Sequence, residues 1–175
     1  MRVGGHPAIR MRAMRRSDGP ALVRLFDDPA VTRMTSTFPL VFTAAFAEKL
    51  IDRHLGWDGV ENVGWIVEAD GAPAGSVSLE RRAPQTYELA YAFGRDVWGR
   101  GLATAAARRA LDHGRDALGA RRAVAGRHAD NPASGRVLEK LGFARTCETA
   151  MEVSRARGGL VQVVWHALDL RREAP

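Results

Sequence analysis

The stretch DVWGRGLATAA, residues 96–106, places Gly99, Arg100, Gly101 and Thr104 where an extended segment gives way to an alanine-rich helix. The first amides of a helix lack internal partners and bind phosphate readily. Glycine at 99 and 101 removes side chains that would hold a ligand off the backbone. Thr104 adds a hydroxyl donor and Arg100 a positive charge. The chemistry on offer is the binding of a large anion. The same glycines also suit a turn tightened for packing alone. A P-loop motif is absent, and Thr104 stands where the dinucleotide fingerprint needs its last glycine.

Two further segments carry reactive types. In TYELAYAF, residues 86–93, strand alternation puts Tyr87, Leu89, Tyr91 and Phe93 on one face. Thr86, Glu88, Ala90 and Ala92 share the other. Glu88 thus stands among small residues that leave room for a ligand, although a solvated strand carboxylate has the same spacing. In ADNPASGR, Asn131 followed by Pro132 reads as a helix N-cap, with Ser134 in the first turn. His113, His128 and His166 match no metal or triad spacing and are read as structural. Cys147, the single cysteine, excludes an internal disulfide, a CxxC redox pair and a multi-cysteine zinc site. It is expected to pack within a strand.

These groups need elements to hold them. A strand is expected near 8–15, followed by a helix capped by Asp18 and carrying Leu22, Val23, Leu25 and Phe26. A second helix covers 43–55, with Thr43 as its N-cap. Between them, residues 31–42 read as an irregular connection that could lie over a substrate. A hairpin follows, 63–69 and 74–82 about the turn Asp70-Gly71, then the strand 86–93. The helix 100–118 carries Ala103, Ala107, Ala110, Gly114 and Leu118 on one face, small enough to lie close to a sheet. A strand at 121–128, a helix at 132–142 and two strands around Gly158-Gly159 complete the chain. The order β-α-α-β-β-β-α-β-α-β-β implies one α/β domain with a mixed sheet, residues 1–175 with a core at about 8–170.

The net charge of +6 comes almost wholly from arginine, Lys49 and Lys140 being the only lysines. The arginines are scattered, with no aromatic-interleaved stripe and no recognition helix, so nucleic acid is not the expected partner. No apolar run approaches a membrane span, no secretory signal opens the chain, and the cysteine content fits a reducing cytoplasm.

Taken together, these segments resemble the GNAT acyltransferase superfamily, and more narrowly the branch typified by ribosomal-protein alanine N-acetyltransferases. YELAYAFGRDVWGRGLATAAARRAL resembles that branch's fourth strand, pyrophosphate turn and following helix. ADNPASGRVLEKLGF resembles its Asn-x-x-Ser helix, and DDPAVTRMTSTFPL its first helix and the segment after it. The resemblance implies the GNAT fold: a single mixed, mostly antiparallel sheet, helices on both faces, and a V-shaped split between strands four and five.

The resemblance also implies a site. Acetyl-CoA, the acyl donor, would occupy the split, its pyrophosphate on the amides of Gly99, Arg100, Gly101, Leu102, Ala103 and Thr104. Its acetyl group would point toward the middle of strand 86–93, Tyr91, Ala92 and Phe93 would line the cofactor, Asn131 would bond the pantetheine arm, and Arg136 would face the phosphates or solvent. A primary amine, at a protein N-terminus or on a small molecule, would attack the thioester directly. An α-amine titrates near 8 and a lysine near 10, so a base helps. Glu88 is that base, an amide near Ala90–Tyr91 the oxyanion donor, and Ser134 the acid for the leaving thiolate. The loop 155–160 would shape the acceptor site beside residues 31–42. No metal and no membrane are implied, and the chain would be a monomer or homodimer. A non-catalytic acyl-CoA-sensing or partner-binding module is the alternative.

Overall fold

The computed structural model describes residues 8–171; residues 1–7 and 172–175 of the expected 1–175 unit lie outside the described residues. Seven strands form one sheet: β1 (Ile9–Arg12), β2 (Asn62–Ala69), β3 (Ala72–Ala83), β4 (Thr86–Phe93), β5 (Arg122–His128), β6 (Ala144–Ser154) and β7 (Gly159–Asp169). Their order is β1-β2-β3-β4-β5-β7-β6. Every neighbouring pair is antiparallel except β4 and β5, which run parallel. The helices are α1 (Gly19–Phe26), α2 (Pro29–Thr32), α3 (Ala44–Leu55), α4 (Leu102–Ala117) and α5 (Pro132–Lys140). Among the described residues no helix is long and apolar enough to cross a membrane.

Strand alternation divides the core into two layers, one on each face of the sheet. Val67, Leu79 and Leu89 pack with Ala106, Ala107 and Ala110 of α4. Ile66, the neighbour of Val67, points the other way and packs with Leu22 and Phe26 of α1 and Ile51 of α3. The small face of α4 does what its sequence predicts. A Cβ added at Gly114 would lie 2.9 Å from Leu79 Cδ1, so the helix lies hard against β3. This close approach carries the N-terminus of α4 to the end of β4.

Three expectations need correction. Thr43 caps α3, accepting from Phe46 N at 3.3 Å. Asp18 does not cap α1 in that way: its side chain makes no capping bond to the helix. Its carboxylate instead accepts from Arg12 Nη1 and Nη2 at 2.8 and 2.7 Å and from Arg15 N at 2.7 Å. The connection 31–42 is less irregular than its sequence, since Val31 and Thr32 complete the single turn of α2. Cys147 lies in β6 but is exposed, where the β6–β7 register shifts between Arg145 and Thr149.

The Asp18 arrangement makes a stability prediction. Asp18 is only 4% exposed, and Arg12 also donates from Nε to Glu68 at 2.6 Å. Burial pushes the Asp18 carboxyl up, but the Arg12 guanidinium and the Arg15 amide outweigh it and hold the group below its ordinary range. A depressed carboxyl stabilises the fold above its unfolded pKa, and that contribution is lost as pH falls through the lower folded value. Removing one partner of a buried pair costs about 3 kcal/mol. Asp18→Ala should therefore lower the melting temperature by roughly 6–12 °C at neutral pH, a gap that narrows in acid. An unchanged midpoint in calorimetry would remove the argument.

Candidate active site

β4 and β5 pair at Thr86↔Arg122, Tyr87↔Ala123 and Glu88↔Val124, and at no later position. Beyond Glu88, β4 continues along β3 to Phe93 while β5 follows β7 to His128. The strands therefore splay, and the backbone groups of β4 that face β5 are left without a ladder. Ala90 and Tyr91, near which an oxyanion donor is expected, lie in this stretch. The split opens into a cleft of about 850 Å³.

The glycine turn forms one wall. Gly99 and Gly101 have φ of +76° and +77°, the left-handed region in which side chains are strained. A Cβ at either would meet nothing within 4 Å, so the backbone faces open space. Gly101 is the N-cap of α4, which leaves the amides of Leu102, Ala103 and Thr104 free of helical partners. Trp98 Nε1 donates to Phe93 O at 2.9 Å and ties the turn to the end of β4. Gly99, Gly101, Leu102, Ala103 and Thr104 line the cleft. The Arg100 side chain turns away and pairs with Asp70, so only its backbone stays at the turn.

The opposite wall is α5. Asn131 caps it, accepting from Ser134 N at 3.1 Å. Asn131, Ser134 and Arg136 line the cleft with Tyr91, Ala92 and Phe93. Ser134 Oγ lies 2.8 Å from Tyr91 Oη. Burial pushes the Tyr91 phenol up to about 12, against opposing effects of the Ser134 hydrogen bond and the Arg127 charge.

Glu88 reaches the same cleft and accepts from Arg82 Nε at 2.6 Å. Burial raises its carboxyl above the usual range, with Glu80 and Glu152 adding to the rise, while Arg82 opposes it. Arg82 was not legible in sequence. The β3–β4 register shifts between Arg81 and Ala83, leaving Arg82 as the extra residue, and a bulge has no reliable spacing signal. The pairing fixes a sign. Loss of Arg82 removes the group that lowers Glu88, so Glu88 takes up its proton at higher pH. Arg82→Ala should shift the acidic limb of the kcat/KM profile upward; a downward or absent shift would disconnect Glu88 from that limb.

The segment 31–42, expected to lie over a substrate, borders the cleft, anchored by Phe38 and Phe42, whose rings meet Phe26 at 5.1 and 5.5 Å. Met34, Thr35, Ser36, Thr37 and Phe38 line the cleft. Residues 155–160, expected to shape the acceptor site, do not line it. They brace the covering segment from behind: Arg155 N donates to Ser36 O at 3.1 Å and Arg157 Nε to Arg33 O at 2.8 Å. His128, read as structural, is 2% exposed and bonds Ser36 Oγ at 3.1 Å at the cleft margin. His113 stacks edge-on against Trp65, and His166 is buried.

This arrangement has counterparts among solved proteins. RimJ of Mycobacterium smegmatis, solved with CoA-disulfide, superposes with a TM-score of 0.81 at 19% identity, covering 94% of this chain and 83% of that one. Spermidine N-acetyltransferase of Vibrio cholerae, solved with CoA and spermine, gives 0.77 at 18% identity, covering 93% and 95%. At this identity they establish the fold. In sequence, the uncharacterized N-acetyltransferase p20 of Bacillus licheniformis is 25% identical over 169 residues, 94% of each chain. The acetyltransferase (GNAT) domain family matches residues 8–144, from β1 through α5 to the start of β6. The chain therefore belongs to the GNAT acetyltransferase family and is an acyltransferase.

Proposed function

We propose that the protein transfers the acetyl group of acetyl-CoA to a primary amine, on a protein N-terminus or a small molecule, within a ternary complex. The observation that carries this reading is the convergence of a free helix N-terminus and the half-buried Glu88 carboxylate on one cleft. The amides of α4 suit the pyrophosphate, and Asn131 and Arg136 stand along the opposite wall for the rest of the donor. Relatives of the same fold hold CoA, which supports the donor class.

On this reading the Glu88 carboxylate draws a proton from the acceptor ammonium directly or through water. The neutral nitrogen attacks the thioester carbonyl carbon, and the oxyanion is held by the β4 backbone near Ala90–Tyr91. The carbon–sulfur bond then breaks with its electron pair on sulfur, the thiolate leaves toward Ser134, and the nitrogen of the new amide releases its second proton to solvent. No acyl-enzyme is needed.

Calorimetric titration with acetyl-CoA, followed by thiol release against a panel of primary amines, tests the proposal. Micromolar binding with amine-dependent thiol release is the expected result. Binding without release from any amine would leave a CoA-binding module in place of an enzyme of this kind.

A further inference from the structure

We propose that Tyr91 is a positioning residue for the leaving-group step: its phenol donates to Ser134 Oγ and so keeps the serine proton free for the departing sulfur. The inference rests on the acetyl-transfer reading above. It comes from counting protons at the Tyr91–Ser134 pair, which face each other at 2.8 Å inside the cleft.

A serine hydroxyl has one proton. If Ser134 donates to Tyr91, none is left for a thiolate. If Tyr91 donates, the serine oxygen is satisfied as an acceptor and its own proton turns into the cleft. The second arrangement is favoured on two grounds. A phenol is a far stronger acid than an aliphatic hydroxyl, hence the stronger donor, and the serine oxygen is the better acceptor. Among the described residues the other acceptor bonded to the phenol is Ser134 O at 3.4 Å, too long to compete with the hydroxyl.

The surroundings hold this direction. Burial keeps the phenol protonated throughout the working range of an amine acetyltransferase. The Arg127 cation polarises the phenol toward donation. Arg127 itself is anchored by Nη1 to His128 O and Ala129 O, each at 3.1 Å. Ser134 is held from both sides, its amide on Asn131 and its hydroxyl on Tyr91. Tyr91 lies on β4 and Ser134 on α5, so the hydrogen bond spans the split. At breakage of the carbon–sulfur bond the electron pair stays on sulfur, and Ser134 donates its hydrogen bond to that thiolate.

The test compares Tyr91→Phe, Ser134→Ala and the double variant, reading kcat, KM and calorimetric affinity for acetyl-CoA. Phenylalanine keeps the ring and removes only the proton. We expect each single change to lower kcat about tenfold, with acetyl-CoA affinity within about twofold of wild type. The double variant should be no slower than Ser134→Ala, because both act through one group. Losses that multiply, an unchanged kcat in Tyr91→Phe, or an affinity loss as large as the kcat loss would each overturn the role, the last making the ring only a wall of the slot. A wild type that binds acetyl-CoA yet acetylates no amine overturns the acetyl-transfer reading and this inference with it. Normal wild-type turnover with independent variants overturns this inference alone.

Discussion

Gly101→Val is expected to weaken acetyl-CoA binding at least about a hundredfold while leaving a folded protein. Two effects act together. Gly101 has φ of +77°, and a β-branched residue there is strained by about 1–3 kcal/mol, which the turn relieves by rotating away. That rotation re-aims the amides of Leu102, Ala103 and Thr104, which the proposal places on the pyrophosphate. Hydrogen bonds to charged groups contribute roughly 1.5–3 kcal/mol each, so losing two suffices. The added side chain has room in the protein, since a Cβ at Gly101 meets nothing within 4 Å, and any steric conflict is with a ligand. Gly101→Asn serves as the control, because asparagine tolerates the left-handed region better. Calorimetry alongside circular dichroism decides the matter. Wild-type affinity in a folded valine variant would mean that the turn is tight for packing alone.

Glu88→Gln should lower kcat about a hundredfold at neutral pH with little change in acetyl-CoA affinity, within the usual range for loss of a general base. Glutamine keeps the size of the side chain and removes its ability to hold a proton. The defect has a pH signature. As pH rises toward the pKa of the acceptor, near 8 for an α-amine and 10 for a lysine-like amine, the nitrogen becomes neutral without help. The ratio of wild-type to variant rates should therefore shrink in alkali. A ratio independent of pH would assign Glu88 a structural part, with its Arg82 partner, and the base would have to be sought elsewhere.

What was legible in the sequence was local. The period of two in residues 86–93 gave β4 its boundaries and put Glu88 on the face opposite Leu89, because a pleated strand has no other choice. The small residues of α4 announced a close helix–sheet contact, and Asn131-Pro132 announced a helix start. The paired glycines marked a turn whose backbone a ligand could approach, and motif resemblance gave the family. Each of these depends on neighbours in the chain.

What the tertiary structure decided involves partners far apart in sequence. Asp18 reads as a helix cap, yet Arg12 and the backbone of Arg15 claim its carboxylate, since a buried charge needs a counter-charge more than a helix needs one acceptor. Arg100 reads as phosphate-facing, yet Asp70 at a hairpin turn holds it. Arg82 meets Glu88 only because a bulge shifts the register. The loop 155–160 supports the cover of the site without entering it. The Tyr91–Ser134 contact exists only because β4 and β5 part after Glu88 and α5 leans its first turn into the gap. Periodicity and capping act over a few residues, so a single sequence shows them. Which strand ends diverge, and which side chains meet across the divergence, is set by packing of the whole sheet, so only the folded chain shows it.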